Sequence, residues 1–232
     1  DCSSRGLGDV YKRQVKNIKN SLSEEIPLIG FCGSPWTLAA YSIEGRSSKD
    51  FEKTLNFLVS NQKDVHNLLT KYTDACFLYL RRQVQSGADV IQIFDSWANL
   101  LTKEGLIEYS FNYINALISA LKLDPVTKNI PVIVFARNPK CNIKELINTS
   151  ADCISLFWSM NDLNFELAKN KVAIQGNLDP KILLESDEII KKETYKILEK
   201  FEKYPGYIFN LGHGITPDIN PDKIKYLTNI VR

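Results

Sequence analysis

Two histidines are all the imidazole in this 232-residue chain. One of them, His213, stands between two glycines in NLGHGITPDINP, at the end of an apolar run. Histidine changes charge near neutral pH, so it can meet an anionic ligand under ordinary conditions. Neighbouring glycines allow backbone angles that other residues avoid and let a ligand approach closely, so the expectation is a site histidine. His66 lies inside a helical segment with no acidic or cysteine partner at ligand spacing, and reads as a boundary residue.

The other candidates stand just beyond short apolar runs. They are Ser34 with Pro35 and Trp36; Asp95 with Ser96 and Trp97; Arg137 with Asn138; Trp158; Gln175, Asn177 and Asp179; and Asn210 with His213. Asp95 and Ser96 read either as caps of a following helix or as site groups. Asn177, Asp179 and Pro180 read as a helix start, because Asp before Pro at the first helical position satisfies orphan amides. The three tryptophans read as core or pocket wall, and Arg137 as a contact for a carboxylate.

The runs that place these residues are PLIGFCG, DVIQIFD, PVIVFAR, CISLFW, VAIQGN and YIFNLGHG, which start near residues 27, 89, 131, 153, 172 and 207. Each is nearly continuously apolar, the pattern of a parallel strand buried on both faces. Helical stripes fill the gaps: Val65, Leu68, Leu69, Tyr72, Cys76, Tyr79 and Leu80, then Ile190, Ile197, Leu198 and Phe201 between Asp187 and Tyr204. Alternation of this kind gives a doubly wound sheet or a (β/α)8 barrel. No glycine-rich phosphate loop follows any strand, which removes the main support for a nucleotide-binding sheet.

Composition excludes several classes. With 29 Lys and Arg against 27 Asp and Glu, the formal charge of +2 is too near balance for a nucleic-acid surface. No apolar run approaches the roughly 18 to 20 residues of a membrane span, and no secretory leader is recognisable, so a cytoplasmic location is expected. The five cysteines form no CxxC or CxH pair, which indicates neither a disulfide framework nor a zinc site. Cys76 and Cys153 read as small buried hydrophobes. Residues 1–14, DCSSRGLGDVYKRQ, resemble translated adapter sequence; they are expected to be a non-native leader without regular structure, leaving 15–232 as a single domain.

Four segments taken together, PLIGFCGSPWTLAAYSIEG, GADVIQIFDSWA, VAIQGNLDP and YIFNLGHGITPDINP, resemble the uroporphyrinogen decarboxylase family. They spread over residues 27 to 221. The resemblance implies a (β/α)8 (TIM) barrel, a homodimer, and decarboxylation of the four acetates of uroporphyrinogen III without a cofactor or metal, giving coproporphyrinogen III for haem and chlorophyll synthesis. By motif, Tyr41, Ser96 and His213 match substrate-pocket positions, Ser96 and His213 as donors to substrate carboxylates. Tyr41 would position the family's central aspartate. That aspartate and an arginine-bearing segment have no match here. The expectation is therefore an N-terminally truncated barrel with about six of eight strands, inactive by itself. Two rivals stand beside this reading. A corrinoid-linked methyltransferase of the same barrel type would need zinc held by His and Cys, and no HxC occurs. The other is a non-catalytic tetrapyrrole-binding module.

Overall fold

The computed structural model describes residues 7–46, 48, 50–160 and 164–232, with side chains from Arg13 onward. Six parallel strands form one sheet in sequence order: β1 (Ile29–Gly33), β2 (Val90–Asp95), β3 (Val132–Ala136), β4 (Cys153–Ser155), β5 (Ala173–Gln175) and β6 (Tyr207–Ile208). Every neighbouring pair is parallel, with Ile29 opposite Val90 and Ile91 opposite Val132. The crossovers are helical: α1 (Leu7–Ser21) precedes β1, and α2 (Pro35–Glu44), α3 (Glu52–Ser60) and α4 (Gln62–Gln85) join β1 to β2. After β2 come α5 (Lys103–Gly105), a π-helical turn over Leu106–Phe111 and α6 (Asn112–Leu123), then α7 (Ile143–Ile147), α8 (Asp187–Phe201) and α9 (Pro221–Val231). Such regular α/β alternation is the order of a (β/α) barrel, with β1 and β6 at the edges of the sheet.

The α4 stripe is real: Val65, Leu69, Cys76 and Leu80 are all buried, meeting Ile114, Leu117 and Leu121 of α6 in the main core. Leu68 and Tyr72 lie half-buried beside it, and Tyr79 is exposed. A second, smaller cluster of Leu178, Leu183, Ile190, Ile219 and Leu227 sits under α8 and α9. Ser186 starts α8 by accepting from the Ile189 N–H, as a serine N-cap does.

Two expectations need correction. Burial on both faces holds for β3, whose five residues are all buried, but Ile29 and Phe31 of β1 are 43% and 51% exposed. An edge strand has one flank without a neighbour, so a side chain on its face is covered from one side only; Phe31 meets Phe94 of β2, with ring centroids 5.8 Å apart, and is open on the other. On that flank Gln83 of α4, itself 2% exposed, brackets Phe31: its Oε1 accepts from the Phe31 N–H at 2.8 Å and its Nε2 donates to the Phe31 carbonyl at 2.8 Å. Residues of the other parity face β2, since the Asp89 N–H donates to the Leu28 carbonyl and the Ser34 N–H to the Phe94 carbonyl. A Cβ on Gly30 would stand 2.6 Å from that same Gln83 oxygen.

The second correction concerns the leader. Residues 7–14 form the first half of α1 rather than irregular chain. Nothing between Asp9 and Ser21 is Pro or Gly, and an established turn extends at one hydrogen bond per added residue. Residues 1–6, and the side chains of Val10 and Tyr11, lie outside the described residues. Farther along α1, Val15 is buried and Lys19 pairs with Asp89 at 2.7 Å.

Candidate functional site

At the carboxyl end of β1 the chain turns at once into α2, where Ser34 caps the helix: its Oγ accepts from the Thr37 N–H at 3.0 Å and Pro35 takes the first helical position. Thr37 faces the end of β2. Its hydroxyl donates to Asp95 Oδ1 at 3.2 Å and accepts from the Ser96 N–H at 2.9 Å. Ser110, in the π-helical turn, donates to Asp95 Oδ2. Asp95 is fully buried, and burial pushes its carboxyl up to about 6 against the opposing pull of hydrogen bonds from Ser110, Thr37, Ser34 and the Trp97 N–H. It therefore caps no following helix; it ties the strand end to two neighbouring segments.

Above this knot, Ser96 and His213 line one cavity of about 390 Å³ with Gln92, Phe94, Phe135 and Ser155. Gln92, 6% exposed, and Ser155, 4% exposed, stand in the strands themselves. The Gln175 amide donates to Ser155 Oγ at 3.1 Å. Neutral amides and hydroxyls thus sit among aromatic rings, a polar set inside an apolar pocket wall. The His213 ring meets Phe157 and Phe135 edge-on, with centroids 5.9 and 6.4 Å away.

The loop bearing His213 is fixed by the loop after β5. The Leu178 N–H donates to the Asn210 carbonyl at 3.1 Å, and the Gly212 N–H donates to the Leu178 carbonyl at 2.8 Å. A side chain at Gly212 would strike Trp158, whose backbone nitrogen lies 2.4 Å from the Cβ position. This revises the reading of the two glycines: neither Gly212 nor Gly214 has a left-handed φ, and only Gly212 is crowded. The crowding comes from the protein's own backbone rather than from an approaching ligand.

Tyr41 and Arg137 do not line that cavity. They meet at Trp97, the residue after Ser96: the Tyr41 ring lies edge-on to the indole at 5.7 Å, and the Arg137 guanidinium stands 5.5 Å from its centroid. Arg137 extends the ladder, its N–H donating to the Asp95 carbonyl at 2.9 Å. The indole also leans on Phe51 at 4.3 Å, and its Nε1 is buried without a hydrogen-bond partner among the described residues. Of the four candidates, two share a cavity and two flank the aromatic residue at its margin.

The remaining candidates resolve into structural roles. Asp179 caps the short 3-10 turn over Pro180–Leu184, as expected, and Asn177 donates to the Phe157 carbonyl at 3.1 Å. Trp36 is core, donating to the Trp97 carbonyl, whereas Trp158 is 37% exposed. His66 packs between helical layers, stacked on Tyr109 and hydrogen-bonded to the Tyr113 hydroxyl at 2.7 Å; Glu108 lies 3.3 Å away, an acidic partner the sequence spacing did not disclose. Cys76 and Cys153 are buried, and burial pushes the Cys153 thiol up to about 12. Among the described residues no three His, Cys, Asp or Glu side chains stand close enough to hold a metal ion. Nor is any described helix long and apolar enough to cross a membrane.

Sequence reasoning missed Gln92 and Ser155. The signal was available for Gln92, a lone amide in the middle of VIQIFD, where an apolar strand has no use for one unless it is paired or faces a ligand. A larger cavity of about 610 Å³ opens at the amino ends of β4, β5 and β6, beside Asp152 and Gly206. There the one carboxylate is already engaged by Lys122 and the Val132 N–H, both at 2.7 Å. In a parallel α/β fold, reactive groups collect at the opposite, carboxyl end, so the smaller cavity is the candidate site.

The family model for uroporphyrinogen decarboxylase matches residues 4–232. The uroporphyrinogen decarboxylase of Ruthia magnifica subsp. Calyptogena magnifica is 41% identical over 219 residues, covering 94% of this chain and 63% of that protein. Its counterpart from Aquifex aeolicus (strain VF5) is 40% identical over 218 residues, with 94% and 63% covered. The chain thus spans just under two thirds of the length of these relatives. Among solved structures, a methyltransferase from Methanosarcina mazei superimposes with a TM-score of 0.77 at 18% identity, over 96% of this chain and 63% of that one. At that identity the likeness is one of fold.

Proposed function

Because the chain belongs to the uroporphyrinogen decarboxylase family, we propose that its carboxyl-end cavity binds a polycarboxylated tetrapyrrole. Within the whole enzyme, this site serves the conversion of uroporphyrinogen III to coproporphyrinogen III. The observation that carries the reading is the pairing of Ser96 and His213 in one cavity, with Arg137 at Trp97 beside it. A hydroxyl, an imidazole and a guanidinium suit the carboxylates at a macrocycle's rim. The amides and hydroxyls of Gln92 and Ser155 suit its polar interior edge.

The chemistry asks little of a cofactor. A proton added to the pyrrole carbon bearing the acetate makes the ring an electron sink. The bond between the acetate methylene and its carboxylate then breaks, carbon dioxide leaves, and the electron pair passes into the ring. A second proton reaches the methylene as the ring carbon gives up the first, so each acetate becomes a methyl for one proton consumed. Donors that hold the other carboxylates keep the reacting one in register, and charge stabilisation lowers the barrier. A homodimer and a cytoplasmic location complete the reading as properties that come with the family.

Binding tests it. Uroporphyrin III, the oxidised and fluorescent form of the substrate, is titrated into the 232-residue chain, the Ser96→Ala, His213→Ala double variant, and the Cys141→Ser control. Each lost peripheral contact should weaken binding by about 1 to 3 kcal/mol. Absence of binding, or equal affinity in all three chains, would refute the proposal.

A further inference from the structure

Asp95 is a carboxylate with no solvent around it and is not among the residues that line the cavity. What it does touch is the backbone of the site. One carboxylate oxygen takes the Thr37 hydroxyl and the other the Ser110 hydroxyl. Thr37, 4% exposed, is at once a donor to Asp95 and the acceptor for the Ser96 N–H. Beside Thr37 on α2, Trp36 holds the next residue along, its indole N–H donating to the Trp97 carbonyl at 3.0 Å. Consecutive backbone groups, the Ser96 N–H and the Trp97 carbonyl, are therefore held from the start of α2, the first by a hydroxyl that is itself tied to Asp95. Those two residues are the ones on which the cavity and the Tyr41 and Arg137 contacts depend.

The two hydroxyls come from elements far apart in sequence: Thr37, with Ser34 donating to it at 3.1 Å, from the start of α2, and Ser110 from the π-helical turn. A π-helical turn widens the helix locally and reorients a side chain, and such turns recur at functional sites. Here Ser110, with 0% exposure, is turned inward against Asp95. A capping serine and a strand-end aspartate would each suffice for local structure. Thr37, bonded to Ser34 at 3.1 Å and to Asp95 at 3.2 Å, links the two and fixes a loop that neither needs.

We infer that Thr37 and Asp95 are positioning residues: through the amide of Ser96 they set the Ser96 hydroxyl in the cavity and, one residue on, the Trp97 ring beneath Arg137, so that both halves of the site are placed together. The inference rests on the tetrapyrrole-binding reading for its ligand, but its geometry can be read without one.

The experiment uses Thr37→Val, which keeps the shape and removes the hydroxyl, and Thr37→Ser, which restores the hydroxyl. Indole 97 is isolated by subtracting the emission spectrum of a Trp97→Phe version of each chain. Thr37→Val should shift the emission of indole 97 and weaken uroporphyrin III binding about tenfold, the scale of one lost site contact. Thr37→Ser should restore both. Adding Ser96→Ala to Thr37→Val should weaken binding little further, because the hydroxyl is already misplaced. If Thr37→Val lowers the melting temperature while indole 97 emission stays as in the parent, the positioning role is wrong. Failure of Thr37→Ser to rescue the emission overturns it as well. Should the parent chain bind no uroporphyrin III, the proposed ligand falls, and the emission shift with its rescue still decides the positioning role.

Discussion

Placing a single methyl at Gly212 should be among the most damaging changes in the molecule. A Cβ there would stand 2.4 Å from the Trp158 backbone nitrogen, 2.5 Å from its Cα and 2.7 Å from its Cβ. Non-bonded heavy atoms settle about 3.5 to 4.0 Å apart, so the two loops must separate by about 1 Å. Two of the three obstructing atoms are backbone and cannot rotate aside. The movement must come from the bridge that holds the His213 loop, the 2.8 Å bond from the Gly212 N–H to the Leu178 carbonyl. Overpacking costs about 1 to 3 kcal/mol, and a stretched buried bond adds about 1 kcal/mol. Gly212→Ala should therefore lose about 2 to 4 kcal/mol of stability. Gly214 is the internal control: nothing lies within 4 Å of its Cβ position and its φ is not left-handed. Gly214→Ala should be neutral or gain up to about 1 kcal/mol by restricting the unfolded chain. Urea unfolding followed by circular dichroism measures both, and uroporphyrin III titration reports the displacement of His213. The reasoning is refuted if the two variants unfold at the same denaturant concentration.

Asp95 gives a pH signature. Its folded pKa of about 6 lies above the ordinary 3.8, so between about pH 4 and pH 6 the folded state binds more proton than the unfolded one. The contribution of Asp95 to stability should be greatest below that window and fall through it as pH rises, by at most about 3 kcal/mol. Urea unfolding at a series of pH values should show the parent losing stability relative to Asp95→Asn across this window, the other shifted carboxylates being common to both chains; parallel curves would sink the assignment. His66→Ala removes the Tyr113 bond and the Tyr109 stack, and a loss of about 1 kcal/mol is expected in the same unfolding assay. Arg137→Ala should weaken uroporphyrin III binding about tenfold by removing a charged donor, with an unchanged affinity counting against its place in the site.

The strands were legible because an unbroken apolar run such as PVIVFAR has few other uses, and β3 is buried at all five positions. Helices α4 and α8 were legible from their three-and-four spacing. Ser96 and His213 stood out as candidates because strand ends are where a parallel fold leaves room for polar groups, and the two line one cavity. What escaped was whatever depends on pairs distant in sequence. Thr37 and Asp95 are 58 residues apart and Gly212 and Trp158 are 54 apart, and no local pattern marks either contact. The exposed face of β1 escaped for a related reason: a strand's own sequence does not say whether it has a neighbour on both sides. Nor does it reveal that Tyr41 and Arg137 converge on Trp97 rather than on the cavity.

The Gln83 bracket on β1 has its consequence in how copies of this chain behave toward one another. An unpaired strand edge is a template for cross-chain addition, the first step of aggregation. At Phe31 the template is already filled, because the amide of Gln83 presents an acceptor and a donor in the place a neighbouring peptide would take. A strand adding there must first evict that amide and strand it in a site with 2% exposure, a loss of about 1 to 3 kcal/mol before any new ladder forms. At this one residue Gln83 thus makes the pair of hydrogen bonds that a neighbouring strand would make. Gln83→Leu should turn that edge adhesive, detectable as light scattering that grows with concentration while the parent chain stays clear.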